Sequence, residues 1–100
     1  MSVKVILTWN IRQGREQEYF GFVVGEYLPQ LNRLGLELTD AWATIYGDDP
    51  QILVGALMPD LEHARTMMNS ETWHTLNAQL EEYVSDFKVK VVNPKGAFQF

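Results

Sequence analysis

The segment VKVILTWNI, from Val3 to Ile11, alternates in the manner of a β-strand. Val3, Val5, Leu7, Trp9 and Ile11 fall on one face, and Lys4, Ile6, Thr8 and Asn10 on the other. This segment restricts the fold more than any other, because a strand so apolar has to be covered when the chain folds. Gln13-Gly14 ends the alternation, and the period then becomes helical.

From Arg15 to Leu34 the apolar set Phe20, Val23, Val24, Tyr27, Leu31 and Leu34 recurs every three to four residues, and Gly35 stands as a C-terminal glycine. Pro29 lacks a backbone donor and predicts a kink in the last turns. Gly21 and Gly25, in GFVVG, each cost about 1 kcal/mol against alanine. Close packing of the helix on a sheet is the expected reason, and room left for a ligand is the alternative. Leu36 to Gly47 reads as a second strand, Gly47 to Pro50 as a turn, and Gln51 to Met58 as a buried third strand, so the pair forms a hairpin.

Asp60 is placed to cap a second helix with the inner stripe Leu61, Ala64, Met67 and Met68. Ser70 caps a fresh start, after which Trp73, Leu76, Leu80, Tyr83 or Val84, and Phe87 continue at helical spacing. Lys88 to Val92 is the last strand. The order β-α-β-β-α-β, in one domain over residues 1–100, predicts an α+β, ferredoxin-like fold. Its antiparallel sheet has four strands, the first and third central, with both helices on one face. The sheet has apolar residues pointing both ways, so a second copy of the chain is the simplest cover for the other face. The wholly apolar set of the first strand is expected at that contact, with Asn10 turned toward the helices and Phe98 or Phe100 packed at or near the partner.

Composition narrows the function. A net charge of -5 with scattered basic residues argues against nucleic acid as a partner. The absence of cysteine excludes disulfides, thiolate metal sites and a cysteine nucleophile, and fits the cytoplasm. The start of the chain reads straight into a strand rather than a signal peptide, and no apolar run approaches bilayer length, so no membrane partner is expected.

The element order, Gly14 after the first strand, Leu28-Pro29 and Glu71-Thr72-Trp73 together resemble the dimeric α/β-barrel superfamily, and within it NIPSNAP-like domains. The resemblance spans nearly the whole chain. It implies a homodimer whose sheets close into a barrel with helices outside, and a ligand cleft between helices and sheet. Relatives include small monooxygenases, haem-degrading enzymes and isomerases, so the fold does not name a reaction. Haem degradation in this superfamily uses an asparagine, which Asn10 matches, and a tryptophan and histidine whose positions fall here on Met67 and Asn77. Without the histidine, haem iron loses its protein ligand.

The remaining motifs carry little chemistry. Trp73 and His74 point about 100° apart on a helix, so Trp73 reads as a core or pocket wall and His74 as solvated. His63 has no second ligand at metal-binding spacing, and Glu81-Glu82 and Asp48-Asp49 are sequence neighbours rather than facing acid/base pairs. No metal and no organic cofactor is expected. A pocket of Asn10, Phe20, Tyr27, Trp42, Tyr46 and Trp73 would suit a small apolar or aromatic molecule, with ordinary core as the alternative. Two functions of different classes follow: a small-molecule binder, as a cofactor-independent monooxygenase or isomerase if it turns substrate over, or a non-catalytic homodimeric interaction module.

Overall fold

The computed structural model describes residues 2–46 and 49–93, with residues 45, 46, 49 and 50 described by their backbone alone. β1 (Val3–Ile11) leads into a helical stretch of three parts: α1 (Glu16–Phe22), a wide π-helical turn (Val23–Tyr27) and α2 (Leu28–Arg33). β2 (Glu37–Tyr46) and β3 (Asp49–Met58) follow, then α3 (Leu61–Met68), α4 (Glu71–Leu80) and β4 (Val84–Val92). The sheet order is β2-β3-β1-β4 with every pairing antiparallel, so β1 and β3 are central as their apolar character predicts. This is the ferredoxin-like arrangement, a two-layer slab with Cα extents of 41 × 34 × 18 Å.

The two faces of β1 are the reverse of the expectation. Val3, Val5, Leu7, Trp9 and Ile11 are all buried, packed with Tyr19, Tyr27, Leu31, Trp73 and Leu80 from the helices. Lys4, Ile6, Thr8 and Asn10 look out from the uncovered face, each half-buried. The physical reason is simple. Five apolar side chains contribute about 1.5 to 3 kcal/mol each when removed from water, and the helix layer of the same chain covers that face first. The uncovered face keeps the mixed set.

The helix after β1 is one stretch in sequence and three in space. Its buried residues are Tyr19, Val23, Tyr27 and Leu31, always four apart. At 3.6 residues per turn, each step of four drifts about 40° around an α-helix. A wider turn in the middle rotates the stripe back. The wide turn closes with the Leu28 N–H donating to the Val23 carbonyl, just before Pro29, whose missing donor an α-helix would need. Gly21 and Gly25 do not approach the sheet: a Cβ built on either meets nothing within 4 Å. Close packing, the expected reason for them, is therefore not their role.

The caps fall where the sequence predicts. Asp60 Oδ1 accepts from the His63 backbone N–H at 2.8 Å, and Ser70 Oγ accepts from that of Trp73 at 3.2 Å. Gly35, at φ 98°, ends α2, with the Leu36 N–H returning to the Leu31 carbonyl at 3.1 Å. The second helix, in contrast, ends at Leu80 instead of running to Phe87. A bulge explains the misreading. Asp86, at φ 55°, is an extra residue between Ser85, opposite Asn10, and Lys88, opposite Thr8. It lets Val84 and Phe87, three residues apart, face the same layer, which imitates helical spacing.

Candidate functional site

The space between helices and sheet is filled. Trp9 lies at its centre, 5.7 Å from the Tyr27 ring edge-on and 6.1 Å from the Phe87 ring in a stack. Its indole N–H donates to Tyr19 Oη at 2.9 Å. Tyr27 Oη in turn donates to Asn77 Oδ1 at 2.8 Å, and both groups are buried. Among the described residues no buried side-chain nitrogen or oxygen lacks a partner. Burial pushes the Tyr27 hydroxyl pKa strongly upward, with Tyr19 nearby adding to the effect. Tyr19 is raised too, by burial that outweighs the hydrogen bond from Trp9. These are neutral, satisfied core phenols.

The six residues expected to line one pocket are distributed over three places. Tyr27 and Trp73 are in the core. Phe20 is on the outer side of α1, 54% exposed, with its ring against Tyr19. Asn10 and Trp42 lie on the uncovered sheet face, away from the helices, and Trp42 is 65% exposed. The Tyr46 side chain lies outside the described residues, as do Phe98 and Phe100. His74 is exposed beside a buried Trp73, the division that helical geometry predicts. Asn77, at the position expected for a haem-ligating histidine, is committed to Tyr27.

Among the grooves beside the filled core, two have a volume of about 480 Å³. One lies where β3 passes into α3 at the edge of the helix layer. It encloses about 480 Å³ and is lined by Leu34, Gly35, Met58, Pro59, Glu62, His63, Thr66 and Met67. Two methionines give it a soft apolar wall. His63, Glu62 and Thr66 are its polar side chains. The ring Nδ1 is 2.8 Å from Asp60 Oδ1, so with Nδ1 donating, Nε2 is left as an acceptor. Asp60 is held below the usual carboxylate range by the His63 backbone N–H and then by the His63 ring. Sequence reasoning missed this groove because its residues come from three separate segments. The N-cap role of Asp60 was the available signal, since it places His63 one turn into α3.

The other groove, also about 480 Å³, lies between the wide turn with α2 and the face of α4. Glu26, Glu71, Gln30, Thr72, Thr75 and Gln79 line it with Leu76. Its carboxylates and hydroxyls do not suit an apolar guest.

On the uncovered face, Lys4 Nζ pairs with Asp40 Oδ2 across Gly55 of β3. A Cβ at Gly55 would stand 2.9 Å from Asp40 Oδ2 and 3.0 Å from Lys4 Cε, so only glycine leaves the ion pair its path. The Lys4 ammonium, with Thr39 helping, lowers the Asp40 pKa. Around this pair lie Ile6, Leu53 and Leu57, half-buried, and the exposed Trp42. No helix among the described residues is long and apolar enough to cross a membrane.

No family model and no curated protein matches the sequence. Solved structures do. A NIPSNAP family protein of Agrobacterium tumefaciens superimposes with a TM-score of 0.69 at 20% identity, covering 94% of this chain and 93% of that one. An uncharacterized NIPSNAP domain protein of Burkholderia xenovorans gives 0.68 at 16% identity, covering 94% of both. The chain shares its fold with these NIPSNAP proteins. A candidate antibiotic biosynthesis monooxygenase of Nitrosomonas europaea shares it, with a TM-score of 0.64 at 10% identity over 92% of this chain and 88% of that one. The shared fold covers nearly the whole chain. At these identities it transfers no residue roles.

Proposed function

We propose that this chain binds a small apolar or aromatic molecule in the Met58–Met67 groove and works as a homodimer joined through the uncovered sheet face. The observation that carries the ligand reading is the groove's composition: an apolar wall of Leu34, Met58, Pro59 and Met67 with three polar side chains, Glu62, His63 and Thr66. Small-molecule sites combine these two elements. An acceptor Nε2 beside an apolar guest suits a phenol or enol, whose hydroxyl donates to it. The reactions that fit are cofactor-independent oxygenation or isomerisation, both of which begin by removing a proton from such a substrate. The Nitrosomonas europaea protein's description supports the first.

Thermal shift against a panel of phenols and quinones tests this reading. A ligand at one hundred times its Kd stabilises by about 2.7 kcal/mol. Stabilisation is expected for the unmodified chain and its loss for Thr66→Trp, which fills the groove from an exposed position. No response from any compound in the unmodified chain discards the groove.

The second reading, a non-catalytic homodimeric interaction module, is favoured by a different observation. Trp42 is 65% exposed on a face over which no helix of the described residues lies. A stable dimer with no ligand response selects this reading.

A further inference from the structure

At Gly35 the Met58–Met67 groove adjoins a second hollow of about 340 Å³, lined by Ser2, Gly35, Glu37, Leu57, Met58 and Pro59. Gly35, Met58 and Pro59 line both and form the rim between them. The rim is low at Gly35, which has no side chain; a Cβ there would stand 3.4 Å from Met58 Cε.

The two hollows carry carboxylates without cations. Glu62 lines the first and Glu37 the second, and among the described residues no lysine or arginine lines either. Arg33 and Arg65, next in sequence to Leu34 and Thr66, line neither. Lys4, two strands away from Glu37 in the sheet, is held by Asp40. Neither Glu62 nor Glu37 takes part in an ion pair among the described residues. A first-turn carboxylate such as Glu62 suits the α3 dipole. Glu37 begins a strand, where the net dipole is small, so it has no such account. An apolar site edged by uncompensated carboxylates repels an anionic guest and attracts a cationic one, and low-dielectric walls strengthen the preference. The cation is organic rather than a metal ion, because among the described residues no three metal-binding side chains come together.

We infer, on the small-molecule reading above, that the ligand of this groove carries an ammonium group beside its apolar or aromatic part, and that Glu62 and Glu37 select it. The ring lies on the methionine wall with its hydroxyl donating to His63, and the amine lies toward the carboxylates. Charge excludes a carboxylic acid of the same shape.

Three para-substituted phenols of one shape test the sign of the charge. Tyramine is cationic at neutral pH, para-propylphenol neutral and phloretate anionic. Calorimetry on the unmodified chain should find tyramine bound about two to five times more tightly than para-propylphenol, the scale of a solvent-exposed ion pair, and phloretate more weakly than either. Glu37 and Glu62 are both exposed, so Glu37→Gln with Glu62→Gln should keep the fold by circular dichroism. In that variant the tyramine preference should vanish while para-propylphenol keeps its affinity. Glu81→Gln with Glu82→Gln makes the same change in net charge away from both hollows and should keep the preference. Equal binding of all three compounds by the unmodified chain overturns the charge assignment and leaves the groove reading standing. A preference that survives in the first variant, or vanishes in the second, does the same. No binding of any of the three removes the groove reading and the amine with it.

Discussion

Tyr27 and Asn77 are fifty residues apart in sequence and share one buried hydrogen bond. Removing the hydroxyl leaves the Asn77 carbonyl oxygen without its donor. Tyr27→Phe is therefore expected to cost about 1 to 3 kcal/mol in urea unfolding. Tyr27→Phe with Asn77→Leu should recover part of that loss, since no polar group is then stranded. The same tyrosine predicts alkaline behaviour. Its folded-state pKa lies above the unfolded value of 10.0, because burial penalises the phenolate. Its stabilising effect is fully present below pH 10 and is lost as pH rises beyond it, when the unfolded chain ionises and the folded one resists. Denaturation midpoints at pH 9 and pH 11 should separate more for the unmodified chain than for Tyr27→Phe. At this scale the sequence is legible wherever a rule is local. Ser70 and Asp60 cap, Gly35 stops a helix, and Trp73 turns inward while His74 does not. The Tyr27–Asn77 bond was illegible, because pairing at that distance depends on how two helices lie against each other.

Elements were read correctly where their period is unambiguous and misread where another device imitates it. The extra residue at Asp86 gives Val84 and Phe87 a spacing of three, which belongs to helices as naturally as to a bulged strand. Asp86 holds a left-handed conformation that glycine adopts without penalty. Asp86→Gly is therefore expected to be neutral or slightly stabilising, and Asp86→Val to cost about 1 to 2 kcal/mol, both read from thermal denaturation. The wide turn at Val23–Tyr27 was announced only by Pro29 and by a stripe spaced strictly in fours. Phe20 and Val24, which a straight α-helix would have brought inward, end up 54% and 67% exposed. Ser70→Ala, which removes the α4 cap, should cost about 0.5 to 2 kcal/mol and leave the wide turn untouched.

Among the described residues the sheet has one face covered by helices and one open, and their assignment decides what a charge does on each. Trp9→Glu places a carboxylate among Tyr19, Tyr27 and Phe87, and is expected to leave no folded protein by circular dichroism. Trp42→Glu sits on the open face and should fold normally by the same measure. The element order made the sheet topology legible, yet alternation could not say which face the helices would take, because alternation defines two faces without ranking them. The candidate groove was less legible still, being assembled from three chain segments. The slab's third dimension, 18 Å between outermost Cα atoms, has its own consequence. Strands β1 and β3 are hydrogen-bonded on both sides, yet a lone copy leaves water one side chain away from their amides. A second slab laid on that face would put the same amides at the middle of a four-layer stack. Their deuterium uptake should therefore slow as protein concentration is raised through the association constant, while the outward amides of α4 exchange at a fixed rate.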